Sequence, residues 1–335
     1  MDRIPVWLRR SLGIGIGLGV TAFAGFLAFH GIDWHALLTS IEEASLLYLF
    51  LGTLFHFLAY FCMGRRWRTE LHGSSELSNT DAIASVSGSI FLNNYFPLRI
   101  GDVIRCGLMA RKLERSRIGI LSVLLVERLV DLAVVLCFAM VTFPLLLAGS
   151  NADLGYLYGV VGFTAITIAG LVLVHNPHTR DLILGIAQGI LPNLLSGPVC
   201  GLINRVADGL QNFRSPSVVI RIAFWTICIW LCILLGNYMW ILAFHFSIPF
   251  GGLLLLVAML NLATILPSSP GGIGLYHQVA VWSLAAWVPI KEQALAFGTV
   301  THGLIALQAL ALGVFVLVYE GSSFRSLTRE AIAEK

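Results

Sequence analysis

The chain has 335 residues, of which 57% are apolar and only 12% are charged. This charged share is about half that of a soluble domain, and the mean hydropathy is +0.85. Such a composition excludes a disordered chain, a disulfide scaffold and an ordinary soluble enzyme. The sequence therefore predicts an all-α polytopic membrane protein. It would be a single membrane domain with about six full spans and two broken, re-entrant hairpins.

The first half of the chain begins with two candidate spans and a short helix between them. Leu12–Phe29 and Ser45–Gly64 have the length and composition of transmembrane helices. Ala22-Phe23-Ala24 resembles a signal-peptide cleavage site, but apolar residues continue beyond it, which favours a retained span. Gly31–Ala44 has the spacing of an amphipathic helix at the membrane interface. The second span is predicted to end at the basic stretch Arg65–Arg68, on the cytoplasmic side.

Residues Asp81–Pro97 form the first interrupted apolar segment. They are rich in small residues, and a basic tract over 105–117 follows them. If this segment crossed the membrane fully, the two basic tracts would lie on opposite faces and the positive-inside rule would fail. We therefore predict a re-entrant hairpin that enters from the cytoplasm, breaks near Asn93–Pro97 and returns.

The second half repeats this arrangement. Leu253–Leu266 is apolar and breaks at Pro267–Gly274, and Leu275–Val288 returns, so a second hairpin is predicted. Prolines interrupt residues 175–216, which are predicted to be a cytoplasmic segment with an amphipathic helix at Leu202–Phe213. The other predicted full spans are Ile118–Ala148, Leu154–Val174, Val218–His245 and Ala294–Val318.

The basic residues determine the predicted orientation in the cytoplasmic (inner) membrane. With both termini in the cytoplasm, 18 of the 21 Lys and Arg residues lie on the inner side. The chain then consists of two inverted halves, 1–150 and 151–320, and a cytoplasmic tail at 321–335. Interrupted helices at matching places of inverted halves are typical of a transporter site near the midplane. The matching breaks are Asn93–Pro97 and Asn261–Pro267.

The second break has the residues of an anion site. Proline ends the preceding helix, and glycine allows a ligand to approach the backbone closely. The helix that begins at Leu275 would present free N–H groups and the positive end of its dipole to a lipid phosphate or pyrophosphate. The alternative is a break needed only for helix packing. The candidate binding residues at this break are Asn261, Ser268, Ser269, Gly271, Gly272 and Gly274.

Two arginines and a carboxylate follow the first break. Arg99 and Arg105 carry the planar guanidinium that binds phosphate bidentately, and Asp102 is placed to orient one of them. The alternative for the arginines is snorkelling beside the basic tract, which fits Arg105 better than Arg99. Asn93 and Asn94 are candidates either to cap interrupted backbone or to hydrogen-bond a lipid head group.

Three charged residues, Glu127, Arg128 and Asp131, lie inside an apolar span. Glu127 and Asp131 share a helix face, and Arg128 reaches Asp131 across three residues. Charges in a span are costly, and they usually pair or line a cavity. A structural ion-pair cluster, a head-group site and a proton relay are all compatible with this pattern. Pairing with Arg99 or Arg105 would fit the first two.

His277 and His302 are the remaining intramembrane candidates. His277 lies one turn after the glycine break, where it could donate to phosphate or titrate. A hydrogen-bonded core histidine is at least as good an interpretation of both. The sequence has no metal-ligand spacing, nucleotide-binding loop or nucleophile elbow, so we expect no metal, no cofactor and no catalytic residue.

Three motifs in order resemble those of the lysylphosphatidylglycerol synthase transmembrane-region family, also described as flippase-like. Residues 93–105, NNYFPLRIGDVIR, resemble its N-x-x-x-P-x-R-x-G-E-x-x-R stretch. Residues 127–131, ERLVD, resemble its E-R-x-x-D motif, and residues 266–274, LPSSPGGIG, resemble its P-x-x-P-G-G-x-G motif. The resemblance covers residues 11–318.

The resemblance implies an integral membrane protein that is associated with moving lipids across the bilayer. Asp102 stands where the family usually has glutamate, which is a mild departure. His277 stands where many members have glutamate, which argues against an acidic role at that position. The synthetase domain of lysylphosphatidylglycerol synthases is absent from the sequence. We therefore expect that the chain does not itself make that lipid.

The function that we expect is flippase-like transport of an anionic or phosphate-bearing lipid, such as a phospholipid or a polyprenyl lipid. Its head group would rest between the two hairpins, and its chains would stay in the bilayer. One alternative is a membrane-embedded enzyme that acts on lipid-linked phosphates, with His277 as acid or base. Another is a non-catalytic scaffold for a lipid or glycan synthase partner. The net charge of +3 does not suggest a nucleic-acid partner.

Overall fold

The computed structural model describes residues 19, 21–71, 77–96, 99–147, 177–190, 193–210, 215–265 and 270–320. Every regular element within these residues is helical, which confirms the predicted all-α class. Residues 21–29 are helical as well. In chain order the further helices are α1 (Trp34–Glu42), α2 (Leu46–Glu70), α3 (Asn79–Tyr95), α4 (Ile100–Lys112), α5 (Arg117–Leu147), α6 (Pro177–Ile190), α7 (Asn193–Leu210), α8 (Pro216–Ala243), α9 (Phe250–Ile265), α10 (Leu275–Leu284) and α11 (Lys291–Glu320).

Three of the described helices are long and apolar enough to cross a membrane: Leu46–Glu70, Pro216–Ala243 and Lys291–Tyr319. They correspond to three of the predicted spans, so the chain is a membrane protein by composition and helix length. The predicted span Ile118–Ala148 is the 31-residue helix α5, which is not among the three. Leu154–Val174 and the start of Leu12–Phe29 lie outside the described residues. Six full spans therefore stay a prediction.

The predicted boundaries change at two places. Helix α2 does not end at Gly64 but continues through the basic stretch to Glu70. Helix α7 begins at Asn193 and contains Pro198, although proline usually kinks or ends a helix. Helix α7 packs against α5 and α6, and its Gly209 lies against the backbone of Ser122. These tertiary contacts keep α7 helical where the local sequence predicts a break.

The amphipathic helix predicted at Gly31–Ala44 is present as α1. Asp33 caps its first turn, because the Asp33 carboxylate accepts hydrogen bonds from the backbone N–H groups of His35 and Ala36. Leu37 is buried while Trp34 is 58% exposed. The helix packs against α11 through its apolar face.

The described residues form two compact units that interleave along the chain. Of the described residues, the first unit contains those up to 59, those between 87 and 102 and those from 230 to 320, and the second contains those between 60 and 86 and between 103 and 229. Each unit thus takes segments from both predicted inverted halves. The inverted repeat itself stays a prediction.

Both predicted breaks separate pairs of packed helices. Helices α3 and α4 approach closely at Gly101, where a Cβ atom would meet the Ser89 carbonyl and the Asn93 side chain. Helix α9 packs against α10, and Gly252 at the start of α9 lies against the ring of Trp287. Glycine at these contacts lets the two helices of each hairpin approach more closely than a larger residue would allow.

Candidate functional site

In the first unit, the Asp102 carboxylate holds the first hairpin together. One carboxylate oxygen accepts hydrogen bonds from Ser89 Oγ at 2.8 Å and from Asn93 Nδ2 at 3.1 Å. The other accepts a hydrogen bond from Arg99 Nε at 3.3 Å. Asp102 therefore ties α3 and the residue before α4 to the start of α4. Asn93 braces this hairpin through its side chain rather than by capping backbone.

Arg99 connects the first break to the second. Its Nη1 donates a hydrogen bond to the Thr264 carbonyl at 3.1 Å, close to the negative end of helix α9. Arg99 has φ +51, a left-handed conformation that is unfavourable for a side-chain-bearing residue by about 1–2 kcal/mol. Its side chain is nevertheless 42% exposed. The described residues thus provide acceptors for two of its N–H donors.

A glycine turn forms the second break in the same unit. Gly271, Gly272 and Gly274 all have positive φ, at +68, +72 and +82, a region that side-chain-bearing residues rarely adopt. A Cβ atom on Gly271 would press on the backbone carbonyl and side chain of Asn94. The two predicted breaks are therefore in contact, and glycine is required at the contact.

His277 and His302 support this glycine turn. His302 Nε2 lies 2.8 Å from the Gly271 carbonyl, to which it donates a hydrogen bond. The Gly274 N–H donates to His277 Nδ1 at 3.2 Å. Both rings are buried, and each hydrogen bond selects the tautomer that carries its proton on Nε2. The core interpretation of both histidines therefore fits the geometry.

Tyr276 is a member of this cluster that the sequence did not single out. Its ring stacks on His302 with centroids 5.0 Å apart, and its hydroxyl lies 3.3 Å from Thr301 Oγ1. An isolated tyrosine in an apolar helix carries no motif, so its role becomes visible only when α10 and α11 are seen to pack together.

The start of helix α10, predicted as an anion site, is closely packed. A Cβ atom on Gly274 would meet the backbone of Thr21 and Gly25, and Leu275 and Tyr276 are buried. This geometry favours the packing interpretation for Gly274. Asn261 Nδ2 donates to the Val257 carbonyl in its own helix at 2.8 Å. The candidates Ser268 and Ser269 lie outside the described residues.

The second unit contains a buried ion-pair cluster centred on Arg66. Arg66 is 2% exposed and binds Asp131 through both terminal nitrogens, at 2.7 and 2.8 Å. It also lies 3.4 Å from Glu70 and 3.2 Å from Thr226 Oγ1. Such bidentate pairs are among the strongest polar contacts in proteins. Arg66 therefore links helices α2, α5 and α8.

Arg105 and Glu127 form a second pair in this cluster. Arg105 Nη2 lies 2.9 Å from Glu127 Oε2, and the guanidinium stacks 3.7 Å over the ring of Trp67. The Arg105 side chain is 3% exposed. The snorkelling interpretation of Arg105 is therefore wrong, because the side chain points into the protein and not toward water. Pairing between Arg105 and Glu127 was one of the predicted possibilities.

Arginines and acidic side chains are equal in number in this cluster, and one end of it is accessible. Arg128 reaches Asp131 at 3.9 Å and Glu127 at 3.7 Å, and its side chain is 39% exposed. Removing a partner from a buried pair leaves an uncompensated charge, which costs about 3–5 kcal/mol. The geometry therefore favours a structural role for the buried members. The members of the cluster are the arginines Arg66, Arg105 and Arg128 and the carboxylates Glu70, Glu127 and Asp131.

Arg66 and Glu70 are not among the site residues predicted from the sequence. Arg66 lies in the basic stretch that is predicted to end the span, and Glu70 follows that stretch. One signal was available: the two residues are four apart, the spacing of an ion pair on a helix. That spacing suggests that the helix continues past Gly64. Within the part of the chain that the structure describes, no group of three or more His, Cys, Asp or Glu side chains is arranged to hold a metal ion.

Comparison with known families explains why these motifs occur together. The family described as Lysylphosphatidylglycerol synthase TM region matches residues 12–313 of the chain. The chain belongs to this family. The match confirms the predicted family, and its range contains every predicted site residue. Membership in the lysylphosphatidylglycerol synthase TM region family makes the chain a membrane domain related to a lipid synthase. Comparisons with curated proteins and with solved structures found no match.

Proposed function

We propose that the chain translocates an anionic or phosphate-bearing lipid across the cytoplasmic membrane and is not itself an enzyme. The observation that carries the proposal is the contact between two helix breaks in the first unit, with the partly exposed guanidinium of Arg99 at their junction. Family membership supports it, because the family is a membrane domain related to a lipid synthase.

Helix breaks supply what a lipid head group needs in order to cross the bilayer. A head group enters hydrocarbon only where polar groups replace part of its hydration shell. The ends of interrupted helices provide such groups, because their terminal N–H and C=O groups lack partners in the helix. In the first unit the break before α4 and the break before α10 lie side by side, since Gly271 faces Asn94.

Arg99 supplies the positive charge in this proposal. Asp102 and the Thr264 carbonyl fix the position of its guanidinium without covering it. The uncovered donors have the planar geometry that binds a phosphate group with two hydrogen bonds. Charge-assisted hydrogen bonds of this kind contribute about 1.5–3 kcal/mol each, which is enough to select an anionic head group over a neutral one.

The enzyme alternative gains no support from the histidine that it would use. His277 Nδ1 accepts a hydrogen bond from the Gly274 N–H, and its ring is buried. A group that acts as acid or base must reach the proton that it transfers. The transport proposal therefore assigns no catalytic residue.

Transport can be tested in proteoliposomes that contain the purified chain. Fluorescent phosphatidic acid and fluorescent phosphatidylcholine are placed in both leaflets, and a membrane-impermeant quencher reports the lipid that reaches the outer leaflet. We expect the native chain to move the anionic lipid rapidly. Arg99→Gln should move it at least about tenfold more slowly, because one charge-assisted contact is lost.

The matched control is Arg205→Gln, which removes an exposed arginine of helix α7 and should leave the rate unchanged. Arg99→Lys should give an intermediate rate, because it keeps the charge and loses the bidentate geometry. Each variant is compared with the native chain by its unfolding temperature. A native chain that moves neither lipid, or an Arg99→Gln variant as fast as the control, would disprove the proposal.

We also propose the orientation with both termini in the cytoplasm. Single cysteines at Glu114 and at Ile290, both exposed, are introduced into a chain whose six native cysteines are replaced. An impermeant thiol reagent should label Glu114→Cys only from the cytoplasmic side and Ile290→Cys only from the other side, because basic tracts stay inside. Labelling of Glu114→Cys from the outside would overturn this orientation and the re-entrant first hairpin.

A further inference from the structure

The second unit contains a basic groove that none of the predicted sites uses. Its volume is about 370 Å³. The described residues that line it are Arg65, Arg68, Thr69, Asn79, Val218, Arg221, Phe224 and Trp225.

The groove lies where two candidate membrane spans end. Arg65, Arg68 and Thr69 belong to the last turns of α2, and Arg221 and Trp225 belong to the first turns of α8. Both helices are long and apolar enough to cross a membrane. Arginine and tryptophan at the ends of spans are typical of the boundary between hydrocarbon and water. The groove is therefore at head-group depth.

The arginines of the groove are oriented but not neutralised. Arg65 lies over the ring of Trp225 at 5.3 Å, Arg68 Nε donates to the Leu77 carbonyl at 2.7 Å, and Arg221 Nε donates to the Ser217 carbonyl at 3.1 Å. Each contact engages a neutral partner. The described lining residues include no carboxylate, so none of them neutralises the three positive charges.

This arrangement contrasts with the buried cluster of the same unit. There, three arginines are paired with three carboxylates. Three guanidinium groups around one groove repel each other, and an anion between them relieves this repulsion. The arginine terminal nitrogens also match the oxygens of a phosphate group.

The groove also has an apolar side. Phe224 is 55% exposed, Val218 is buried beside it, and the Trp225 ring carries Arg65 on one face. A free phosphate ion would make no use of an exposed phenylalanine next to the cations. An acyl chain attached to the phosphate would cover it and gain about 25 cal/mol for each Å² of apolar surface removed from water.

We propose that this groove binds the phosphate group of an anionic membrane phospholipid, with an acyl chain along Phe224. The site is separate from the helix breaks and does not depend on lipid transport. Arg65, Arg68 and Arg221 contact the phosphate oxygens, and Thr69 and Asn79 provide neutral hydrogen-bonding groups at the rim. A lipid bound here would hold the ends of α2 and α8 together at the membrane surface.

The test measures equilibrium binding to the full chain, purified in detergent and stripped of lipid. Phosphatidic acid, phosphatidylcholine and inorganic phosphate are titrated separately. Native mass spectrometry counts the lipid or phosphate bound to each chain. We expect phosphatidic acid to bind at least about tenfold more tightly than either of the others, because it alone combines an uncompensated anionic charge with acyl chains.

The variant Arg65→Gln/Arg221→Gln should weaken phosphatidic acid binding by about tenfold or more, because two charge-assisted contacts are lost. Its matched control is Arg180→Gln/Arg205→Gln, which removes the same charge from α6 and α7 of the same unit and should leave the affinity unchanged. Unfolding temperatures measured without lipid show whether each variant is folded.

Three results would overturn the proposal. The first is equal affinity of the groove variant and the control. The second is equal affinity of the native chain for phosphatidic acid and phosphatidylcholine. The third is binding of inorganic phosphate as tight as that of phosphatidic acid, which would make the groove a site for the free ion. The last two results need no variant, so the proposal remains testable if the groove variant does not fold.

Discussion

The two units contain polar centres of opposite character. In the first unit, the hairpin junction is built from backbone carbonyls, neutral donors and one carboxylate, with the single partly exposed guanidinium of Arg99. In the second unit, six charged side chains form the Arg66 cluster, and four of them are buried. Charges that satisfy one another hold helices together, whereas a cation with uncovered donors can exchange partners. The density of charge in a membrane protein therefore does not by itself locate its binding site.

Removing a carboxylate from the Arg66 cluster is the largest expected effect. Asp131→Leu leaves Arg66 buried without its bidentate partner, and we expect the free energy of unfolding to fall by about 3–5 kcal/mol. The matched control is Asp208→Leu, an exposed aspartate of α7, which should change stability by no more than about 0.5 kcal/mol. Equal unfolding temperatures for the two variants would show that the cluster is not structural.

A smaller effect is expected at the glycine turn of the first unit. Gly271→Ala places a Cβ atom against Asn94 at a positive φ, and we expect a loss of about 1–2 kcal/mol. Gly107→Ala is the comparison, because nothing lies near its Cβ position in helix α4, and it should be neutral or stabilising by up to about 1 kcal/mol. Thermal unfolding of both variants measures the difference, and a tolerated Gly271→Ala would mean that the two breaks can separate.

The histidine that supports the turn should matter less. His302→Leu removes the hydrogen bond to the Gly271 carbonyl, and we expect a loss of about 1 kcal/mol. His302→Gln keeps a side-chain donor and should recover part of this loss. The two variants are compared by thermal unfolding at neutral pH. If His302→Gln is no more stable than His302→Leu, the hydrogen bond to the Gly271 carbonyl does not stabilise the turn.

The smallest effect concerns an accessible ion pair of the second unit. Burial alone would raise the pKa of Asp81, but hydrogen bonds from Lys112 and Ser78 outweigh it, so the pKa lies below the ordinary 3.8. A lowered pKa in the folded state adds stability above pH 3.8 that is lost as the pH falls through the folded pKa. Asp81→Asn should remove this dependence and cost less than about 1 kcal/mol. Unfolding temperatures measured from neutral to acidic pH check the sign, and an unchanged acid dependence in Asp81→Asn would contradict it.

Several features of the fold follow from local pattern and could be predicted. The apolar runs around α2, α8 and α11 are long enough to identify three spans. The predicted break at Asn93–Pro97 ends in proline, and the one at Pro267–Gly274 combines proline with glycine, the two residues that most often interrupt helices. Asp102 beside Arg99 is likewise a local pair, three residues apart. For these features the interacting residues are close in sequence.

The partners of the charged residues could not be predicted in the same way. Arg66 reads as part of a basic stop, and its partner Asp131 lies 65 residues away. Arg105 reads as a snorkelling residue until Trp67 and Glu127 are seen to enclose it. Helix α7 continues through Pro198 because α5 and α6 pack against it. In each case a long-range contact overrides the local preference.

The sequence by itself determined that the chain is an all-α membrane protein, that helices are interrupted after Tyr95 and before Leu275, and to which family it belongs. These properties depend on composition and on residues that are close together in the sequence, and both can be seen in the sequence itself. Only the tertiary structure decided which charges pair with one another and which line an open groove. The physical reason is that the energetic cost of a charged side chain in a membrane protein depends on the groups packed around it. Arg66 and Arg65 are adjacent in sequence, yet one is buried in a balanced cluster and the other lines an open basic groove.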